Sequence, residues 1–313
     1  MKSNKYEIDM CNGSIMDKLV SFALPLMLSG ILQLMFNAVD IIVVGRFSGS
    51  EALAAVGSTT ALINVFTNLF IGISLGANVL AARFFAAGRK EEMSETVNTS
   101  ITLALISGIL MAFVGLVFSK GALELMGTPE DVIGLSTLYM RIYFMGMPFF
   151  MLYNYGAAIL RAVGDTKRPL YFLIIAGVIN AGLNMVLVIV FGLGVAGVGI
   201  ATVFSQMVSC VLVLTCLCRT EGSYKLSFSK LSMKGYYLKQ IFQVGIPAGI
   251  QSTVINFSNA LLQSSVNSFG STAMAGYTAA NNILGFLYVS INSVTQACMS
   301  FTSQNFGVGK YKR

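Results

Sequence analysis

Histidine and tryptophan are absent from this sequence, and ionisable side chains are scarce, since Asp, Glu, Lys and Arg together make up only 11% of the residues. Without histidine, the chain cannot build a serine–histidine catalytic pair, a histidine proton relay or a histidine-bound zinc centre. No glycine-rich ATP-binding motif and no serine nucleophile motif occur either. We therefore predict that the protein is not an enzyme and needs no cofactor.

Cysteine is also rare, and the five cysteines form no paired framework. Most of them lie within apolar runs, where cysteine behaves as a small apolar residue. We interpret all of them as structural, and we expect neither a disulfide nor a zinc site. These residues are Cys11, Cys210, Cys216, Cys218 and Cys298.

Long apolar runs dominate what is present: 55% of the residues are hydrophobic, and the mean hydropathy is +0.76. A bilayer-spanning helix needs about 20 mostly apolar residues. The runs lack the alternation of a membrane β-barrel, so we predict an all-α polytopic membrane protein. The predicted spans are 19–45, 52–82, 96–119, 132–160, 169–191, 195–218, 238–264 and 273–303.

Basic residues are distributed unequally between the loops on the two sides of these spans. Seventeen of the 20 fall on the side of the N-terminus, leaving Arg46 and Lys120 opposite and Arg141 inside the fourth span. Because cytoplasmic loops carry the excess of Lys and Arg, we predict a multi-pass plasma (inner) membrane protein with a cytoplasmic N-terminus. The N-terminus shows no cleavable signal pattern. The net charge of +7 thus reflects topology, and we expect no nucleic-acid partner.

The first two spans recur about 222 residues later in the same order, so that Pro25 pairs with Pro247 and Asn37 with Asn259. Six spans separate the copies, which is typical of parallel-repeat transporters. We predict a six-helix N-lobe at 1–222, followed at 223–313 by a cytoplasmic linker and the first two helices of a C-lobe. A six-plus-six protein needs about four more helices, so we expect a longer polypeptide.

Asp40 is the only acidic residue deep inside a long apolar span. A carboxylate at membrane depth costs roughly 2.5–3.5 kcal/mol on insertion scales, so such a residue is a functional candidate. Gln33, Asn37 and Asp40 share one helix face by their spacing. For Gln33 and Asn37, a cavity role and plain interhelical hydrogen bonding both remain open. Asp40 is the candidate site for a coupling ion, either Na⁺ or H⁺.

Two amides on the fifth span, Asn180 and Asn184, also share a face because they are four residues apart. Their carbonyl oxygens suit a monovalent cation, although amides also join helices without any ligand. Thr202 follows a glycine-rich turn, and its hydroxyl can join the same cluster. The alternative for Thr202 is a hydrogen bond to the preceding turn of its own helix.

Further polar residues on the second, seventh and eighth spans suit the wall of a substrate cavity. They are Asn64, Asn68, Asn256, Asn259, Gln263 and Asn292.

Two prolines and a glycine pair suggest how the helices bend and pack. Pro25 and Pro247 each remove a backbone hydrogen bond early in a repeated helix, and they are candidate hinges or static kinks. The sequence Gly72-x-x-x-Gly76 indicates close helix packing rather than a binding site.

Three segments resemble the multidrug and toxic compound extrusion (MATE) family, within the multidrug, oligosaccharidyl-lipid and polysaccharide exporter group. They are FALPLMLSGILQLMFNAVDIIVVGRFSGSEALAAVG, ILRAVGDTKRPLYF and VINAGLNMVLVIVFGLGVAGVGIAT. The resemblance implies two six-helix lobes and an N-lobe cation site at Asp40, Asn180, Asn184 and Thr202. Some relatives carry an acid where this chain has Asn184, and some have a carboxylate on the seventh helix that this chain lacks.

We therefore predict a secondary antiporter that exports organic cations, drugs or toxic metabolites in exchange for Na⁺ or H⁺. Its expected partners are the lipid bilayer and a small cationic or amphipathic substrate, and we expect a monomer at full length. One alternative is a lipid-linked saccharide flippase, which would favour a more cationic cavity than Arg141 alone suggests. The other is a non-transporting membrane fragment or scaffold.

Overall fold

The computed structural model describes residues 6–267 and 271–313, and these ranges are almost entirely helical. A π-helical turn, Met185–Val190, extends α6, and a 3-10 helix, Phe228–Lys230, precedes α8. No strand occurs within the described ranges, which confirms the predicted all-α fold class. The α-helices are α1 (Ile15–Phe47), α2 (Gly49–Ala86), α3 (Lys90–Leu125), α4 (Glu130–Met145), α5 (Met147–Ala162), α6 (Lys167–Asn184), α7 (Gly194–Arg219), α8 (Gly235–Asn267) and α9 (Ser271–Gly307).

Six stretches of the described helices are long and apolar enough to cross a membrane. They match the first, second, third, fifth, sixth and eighth predicted spans. α8 matches the seventh span and is also long enough, at 33 residues, although polar side chains interrupt its apolar run. The six stretches are Ile15–Phe47, Gly49–Ala86, Lys90–Leu125, Lys167–Val190, Gly194–Arg219 and Ile283–Gly307.

The fourth span differs from the prediction, because 132–160 is not a single helix. α4 ends at Met145, and α5 begins at Met147 after the single residue Gly146. Pro148 is the cause, since it has no N–H to donate to the carbonyl four residues earlier. Gly146 itself keeps near-helical dihedral angles (φ −78°, ψ −11°) between the two short helices.

The largest apolar core lies among α2, α3, α5 and α7, where Ala77, Val97, Ile159 and Val213 are fully buried. On the outside, α3 leaves large apolar side chains uncovered, and Phe113 is 62% exposed. Apolar residues on the outer surface as well as in the core are expected of helices surrounded by lipid.

Glycines allow α2 and α8 to pack with their backbones in contact. A Cβ atom added to Gly72 would lie 2.2 Å from Cα of Gly249, and one added to Gly76 would lie 2.2 Å from the carbonyl oxygen of Ile241. On α8, a Cβ at Gly245 would lie 2.5 Å from Cα of Ile73. The predicted packing role of Gly72 and Gly76 is therefore confirmed. They pack against α8, which is the first helix of the second copy of the repeat.

α9 packs against α1 in the same part of the molecule. A Cβ on Gly30 would lie 2.4 Å from Cγ1 of Val289, and Phe22 and Leu26 share a small core with Ala297 and Phe301. Together with the α2–α8 contact, this brings the C-terminal half of α2 and the N-terminal halves of α1 and α8 against α9. We call this region, where the chain also begins, the closed end.

Hydrogen bonds to backbone carbonyls fasten the closed end. Gln304 on α9 donates from Nε2 to the carbonyl of Ala162 (2.8 Å) and accepts from the N–H of Met10 (3.3 Å). Asn305 donates to the carbonyl of Met10 at 3.1 Å. Toward the other ends of α8 and α9, Leu262 and Ile283 are 55% and 67% exposed. Among the described residues, the hydrogen bonds and close contacts named above join the α8–α9 pair to the rest of the bundle at the closed end.

We expect Gly72→Ala to lower the melting temperature in detergent by several degrees, because overpacking a close contact costs about 1–3 kcal/mol. Gly57→Ala is the matched control on α2, since a Cβ there meets nothing within 4 Å. Alanine favours a helix by about 1 kcal/mol over glycine, so the control should melt at an equal or higher temperature. Thermal unfolding of both variants checks this, and equal melting temperatures would contradict the packing.

Candidate cation site and substrate cavity

Asp40 and the two asparagines of α6 form one hydrogen-bonded group. Nδ2 of Asn184 donates to Oδ1 of Asp40, and it also lies 3.3 Å from Oδ1 of Asn180. Asn184 is fully buried and Asn180 is 5% exposed. The spacing of four residues places both amides on the face of α6 that meets α1, as the sequence predicts.

The backbone changes its winding directly after this group. The π-helical turn Met185–Val190 begins at the residue following Asn184, and π-turns within helices are frequent at functional sites. The chain then reverses into α7 through Gly192 and Gly194, whose positive φ angles of 63° and 52° favour glycine. This tight reversal sets the start of α7, on which Thr202 lies.

Thr202 faces the same cavity as Asp40 and Asn180. Its hydroxyl donates to the carbonyl of Val198 at 2.9 Å, which is the bond to its own helix that the sequence left as an alternative. The hydroxyl oxygen can still accept a hydrogen bond or approach a cation from the cavity side. The structure therefore places all four predicted cation-site residues around one region, with direct hydrogen bonds among three of them.

One buried oxygen in this group, Oδ1 of Asn184, has no hydrogen-bond partner among the described residues. It belongs to the same side chain that contacts the Asp40 carboxylate. A carboxylate beside an amide oxygen that has no hydrogen-bond partner suits a small hard cation, because such ions take oxygen ligands. Among the described residues, no group of three or more His, Cys, Asp or Glu side chains could hold a metal ion. The candidate site therefore has a single carboxylate.

Asp40 lies at the wall of a cavity of about 500 Å³. This volume falls within the range of sites that bind drug-sized molecules. The wall is formed by residues of α1, α2, α4, α5, α6, α7 and α9, so the cavity lies inside the first seven helices and is closed on one side by α9. The predicted cavity residues found in this wall are Gln33, Asn37, Asn64, Asn68 and Asn292.

Three other predicted cavity residues lie on α8. Asn259 is exposed and lies outside the lining. The side chains of Asn256 and Gln263 lie outside the described residues. Pro25 and Pro247 lie inside α1 and α8, two helices of 33 residues each. The hinge role of these prolines stays a prediction.

The cavity wall also contains polar residues that the sequence reasoning missed, on α4, α5 and α7. Tyr139 and Tyr143 are four residues apart on α4, while Asn154 and Arg161 are seven apart on α5. Both spacings place the pair on one helix face, which was the signal available in the sequence. Gln206 on α7 completes this polar side of the cavity.

The structure places two arginines of this region differently with respect to the cavity. Arg141 lies within α4, inside the predicted fourth span, but it is exposed and is absent from the cavity wall. Arg161, assigned from the sequence to the loop after that span, lies in the last turn of α5 and lines the cavity. The predicted span ends at residue 160, one residue before Arg161, whereas α5 continues to Ala162.

A second and larger cavity, about 1470 Å³, lies at the closed end, mostly outside the predicted spans. Its wall carries charges of both signs, including Glu7, Lys90 and Arg219. Asp165 lies nearby in the α5–α6 loop, fully buried and paired with Arg168. Burial raises the pKa of the Asp165 carboxyl, while the positive charge of Arg168 acts in the opposite direction.

Comparison with known proteins gives strong matches over nearly the whole chain. The chain is 34% identical over 301 residues to a probable multidrug resistance protein, YoeA, of Bacillus subtilis, covering 93% of this chain and 65% of the relative. It is 24% identical over 302 residues to an FAD transporter of Shewanella oneidensis, covering 94% of this chain and 66% of the relative. The chain thus spans about two thirds of the length of these curated relatives.

The fold of this chain also matches that of a solved transporter structure. A MOP superfamily transporter from Pyrococcus furiosus superposes with a TM-score of 0.91 at 25% identity, covering all of this chain and 70% of that one. These relatives are transporters or resistance proteins rather than enzymes. The MatE family model matches residues 25–186 and 247–313, well over half of the chain, so this protein belongs to the MatE family.

Proposed function

We propose that this chain forms the larger part of a secondary antiporter that exports cationic or amphipathic compounds in exchange for Na⁺ or H⁺. The observation that supports it best is the Asp40–Asn184–Asn180 group at the wall of a drug-sized cavity. Asp40 is the only acidic residue in that wall among the described residues. The multidrug name of a relative that is 34% identical points to the same activity.

Ion exchange at Asp40 provides the energetic link to transport. A ligand shifts an equilibrium between two conformations only by the difference in its affinity for them. When Asp40 binds a cation, the amide of Asn184 no longer needs to donate to the carboxylate, because its unpartnered oxygen can turn to the ion. This local exchange changes the α1–α6 contact, and α1 is also a wall of the substrate cavity.

The chain's arrangement in the membrane follows from the same proposal. Residues 1–222 form the N-lobe, and 223–313 form the linker and the beginning of a C-lobe that repeats it. A proline inside each of α1 and α8, Pro25 and Pro247, supports this repeat. We place the N-terminus, and with it the closed end, on the cytoplasmic side of the cell membrane, and we propose that the full-length protein is a monomer.

A second candidate function is export of an anionic substrate, as in the lipid-linked saccharide flippase considered from the sequence. It is favoured by Arg161, which makes the cavity more cationic than the sequence indicated. One relative is named as a transporter of FAD, a phosphate-bearing molecule. Cation export remains the stronger candidate, because the Asp40 carboxylate lies beside the unpartnered amide oxygen of Asn184.

We expect Asp40→Asn in the full-length protein to reduce gradient-driven efflux of a cationic dye from vesicles by at least about tenfold. The amide preserves the size of the side chain but cannot exchange a cation or a proton. Dye binding should change little, since the substrate has the rest of the cavity wall. Efflux is measured separately under a Na⁺ gradient and a pH gradient, which identifies the coupling ion.

Glu51→Gln serves as the matched control, because Glu51 is an exposed acid at the start of α2, outside the cavity wall. Its efflux should equal that of the wild-type protein. Undiminished coupled efflux in Asp40→Asn would overturn the assigned role. Absence of efflux in the wild-type protein under either gradient would favour the scaffold alternative.

A second prediction concerns ion binding without transport. Added Na⁺ at fixed pH, or added acid at fixed Na⁺, should raise the melting temperature of the wild-type protein, because a ligand stabilises the state that binds it. Asn184→Leu removes the amide beside Asp40 and should remove most of that increase. Asn98→Leu is the control, since Asn98 is 2% exposed on α3 and outside the cavity wall.

The thermal shift decides between an ion-binding role and a purely structural role for Asn184. A structural role would lower the melting temperature of Asn184→Leu but leave its response to the ion intact. The same ion response in both asparagine variants would therefore contradict the proposed cation site.

A further inference from the structure

Arg161 lies in the wall of the same cavity as Asp40, at the C-terminal end of α5. Its Nε donates to the carbonyl of Ala157 at 3.2 Å, and its Nη1 donates to Oε1 of Gln296 on α9 at 2.9 Å. These two bonds hold the guanidinium between α5 and α9. The remaining donors make no hydrogen bond to the described residues, and an arginine has five.

No acidic side chain neutralises Arg161 among the described residues. The nearest acid along the chain, Asp165, is paired with Arg168 instead. A charge at membrane depth is costly unless it is paired, solvated in a cavity or used by a ligand. Arg161 thus differs from Arg168, whose carboxylate partner is part of the fold.

The positions of the two charges follow from the packing of α1 and α9. The α1 residues in the cavity wall run from Leu26 to Asp40, or about 21 Å at 1.5 Å per residue. Gln296 precedes Ala297, which shares a small core with Leu26. Arg161 therefore lies near the Leu26 level, and Asp40 lies at the far end of the wall. At this separation Asp40 cannot act as the counter-ion of Arg161.

We propose that Arg161, held by Gln296, is an anion subsite that takes a carboxylate or phosphate group of the exported compound. A guanidinium binds both groups well, because its fixed fork of donors matches their oxygens. The substrate class is then a compound that carries an anionic group in addition to an organic or cationic body. This inference rests on the proposed export function and specifies its substrate.

Two dyes that differ in one group test the subsite. Rhodamine 110 carries a free carboxylate, and rhodamine 123 is its methyl ester with the same cationic ring system. The full-length protein in detergent is titrated with each dye, and binding is followed by fluorescence anisotropy. We expect the wild-type protein to bind rhodamine 110 about tenfold more tightly, in keeping with a charge-assisted hydrogen bond to a carboxylate.

Arg161→Gln should abolish this preference by weakening the binding of rhodamine 110 about tenfold, with little change for rhodamine 123. Arg161→Lys keeps the charge and should keep part of the preference. Arg141→Gln is the matched control, because Arg141 is exposed and outside the cavity wall. It should retain the full preference.

A wild-type protein that binds both dyes equally overturns the inference, and this comparison requires no variant to fold. A preference that persists in Arg161→Gln also overturns it. The outcome is independent of ion coupling, because binding is measured without a gradient. If the preference depends on Arg161 while Asp40→Asn still shows coupled efflux, the anion subsite stands and the proposed role of Asp40 fails.

Discussion

The close contact between α2 and α8 is the constraint on which the rest of this structure depends. Backbone approaches at Gly72, Gly76, Gly245 and Gly249 leave no room for a Cβ atom, so the two helices meet over at least two turns. That contact positions the pair α8–α9 and brings α9 against α1. In lipid, where apolar side chains gain little by leaving the solvent, such close packing is the main attraction available between helices. The cavity has a wall on the α9 side because of it.

Within this frame, polar side chains satisfy one another or their own helices. Most of the serine and threonine hydroxyls donate to carbonyls three or four residues earlier, as Thr67 does to Ile63 at 2.8 Å. Those hydroxyls contribute to helix stability and do not mark sites. Some uncharged side chains join neighbouring helices, as Asn78 does by donating to the carbonyl of Ala158 at 2.8 Å. The bonds of Asp40 with Asn184 and of Arg161 with Gln296 also join helices, but each involves a charged side chain in the cavity wall. A hydrogen bond between helices, at membrane depth and involving a charge, is therefore the feature that separates the sites from the scaffold.

How far the sequence predicts this structure depends on the kind of pattern involved. Asn180 and Asn184 were found because a spacing of four residues fixes a shared face on any helix, and Gly72 and Gly76 were found for the same reason. Arg161 was missed because a helix boundary read from hydropathy is uncertain by several residues, and a loop cannot be told from a last turn. The break at Gly146 was also missed, although Pro148 was visible, because proline near a span centre is tolerated in membrane helices. The partner of each buried polar group required three-dimensional packing that no local pattern contains.

α1 connects the two parts of the molecule that a transport cycle must link. One end of this 33-residue helix carries Asp40, and the other carries Phe22 and Leu26 in the small core with α9. Binding of an ion at Asp40 can influence the closed end only if a structural element between them has two conformations. The ion and the contacts at the closed end must then each change the equilibrium between those conformations. A continuous helix transmits a rotation or a tilt along its whole length, and Pro25 lies between Phe22 and Leu26, at the contact with α9. Opening the closed end must also release the bonds of Gln304 and Asn305 to backbone carbonyls, and water entering the cavity can replace them. Within the closed end, the bonds of Gln304 and Asn305 can thus be replaced by water, whereas the α2–α8 contact is made by glycines with no polar side chain, which makes that contact the natural pivot.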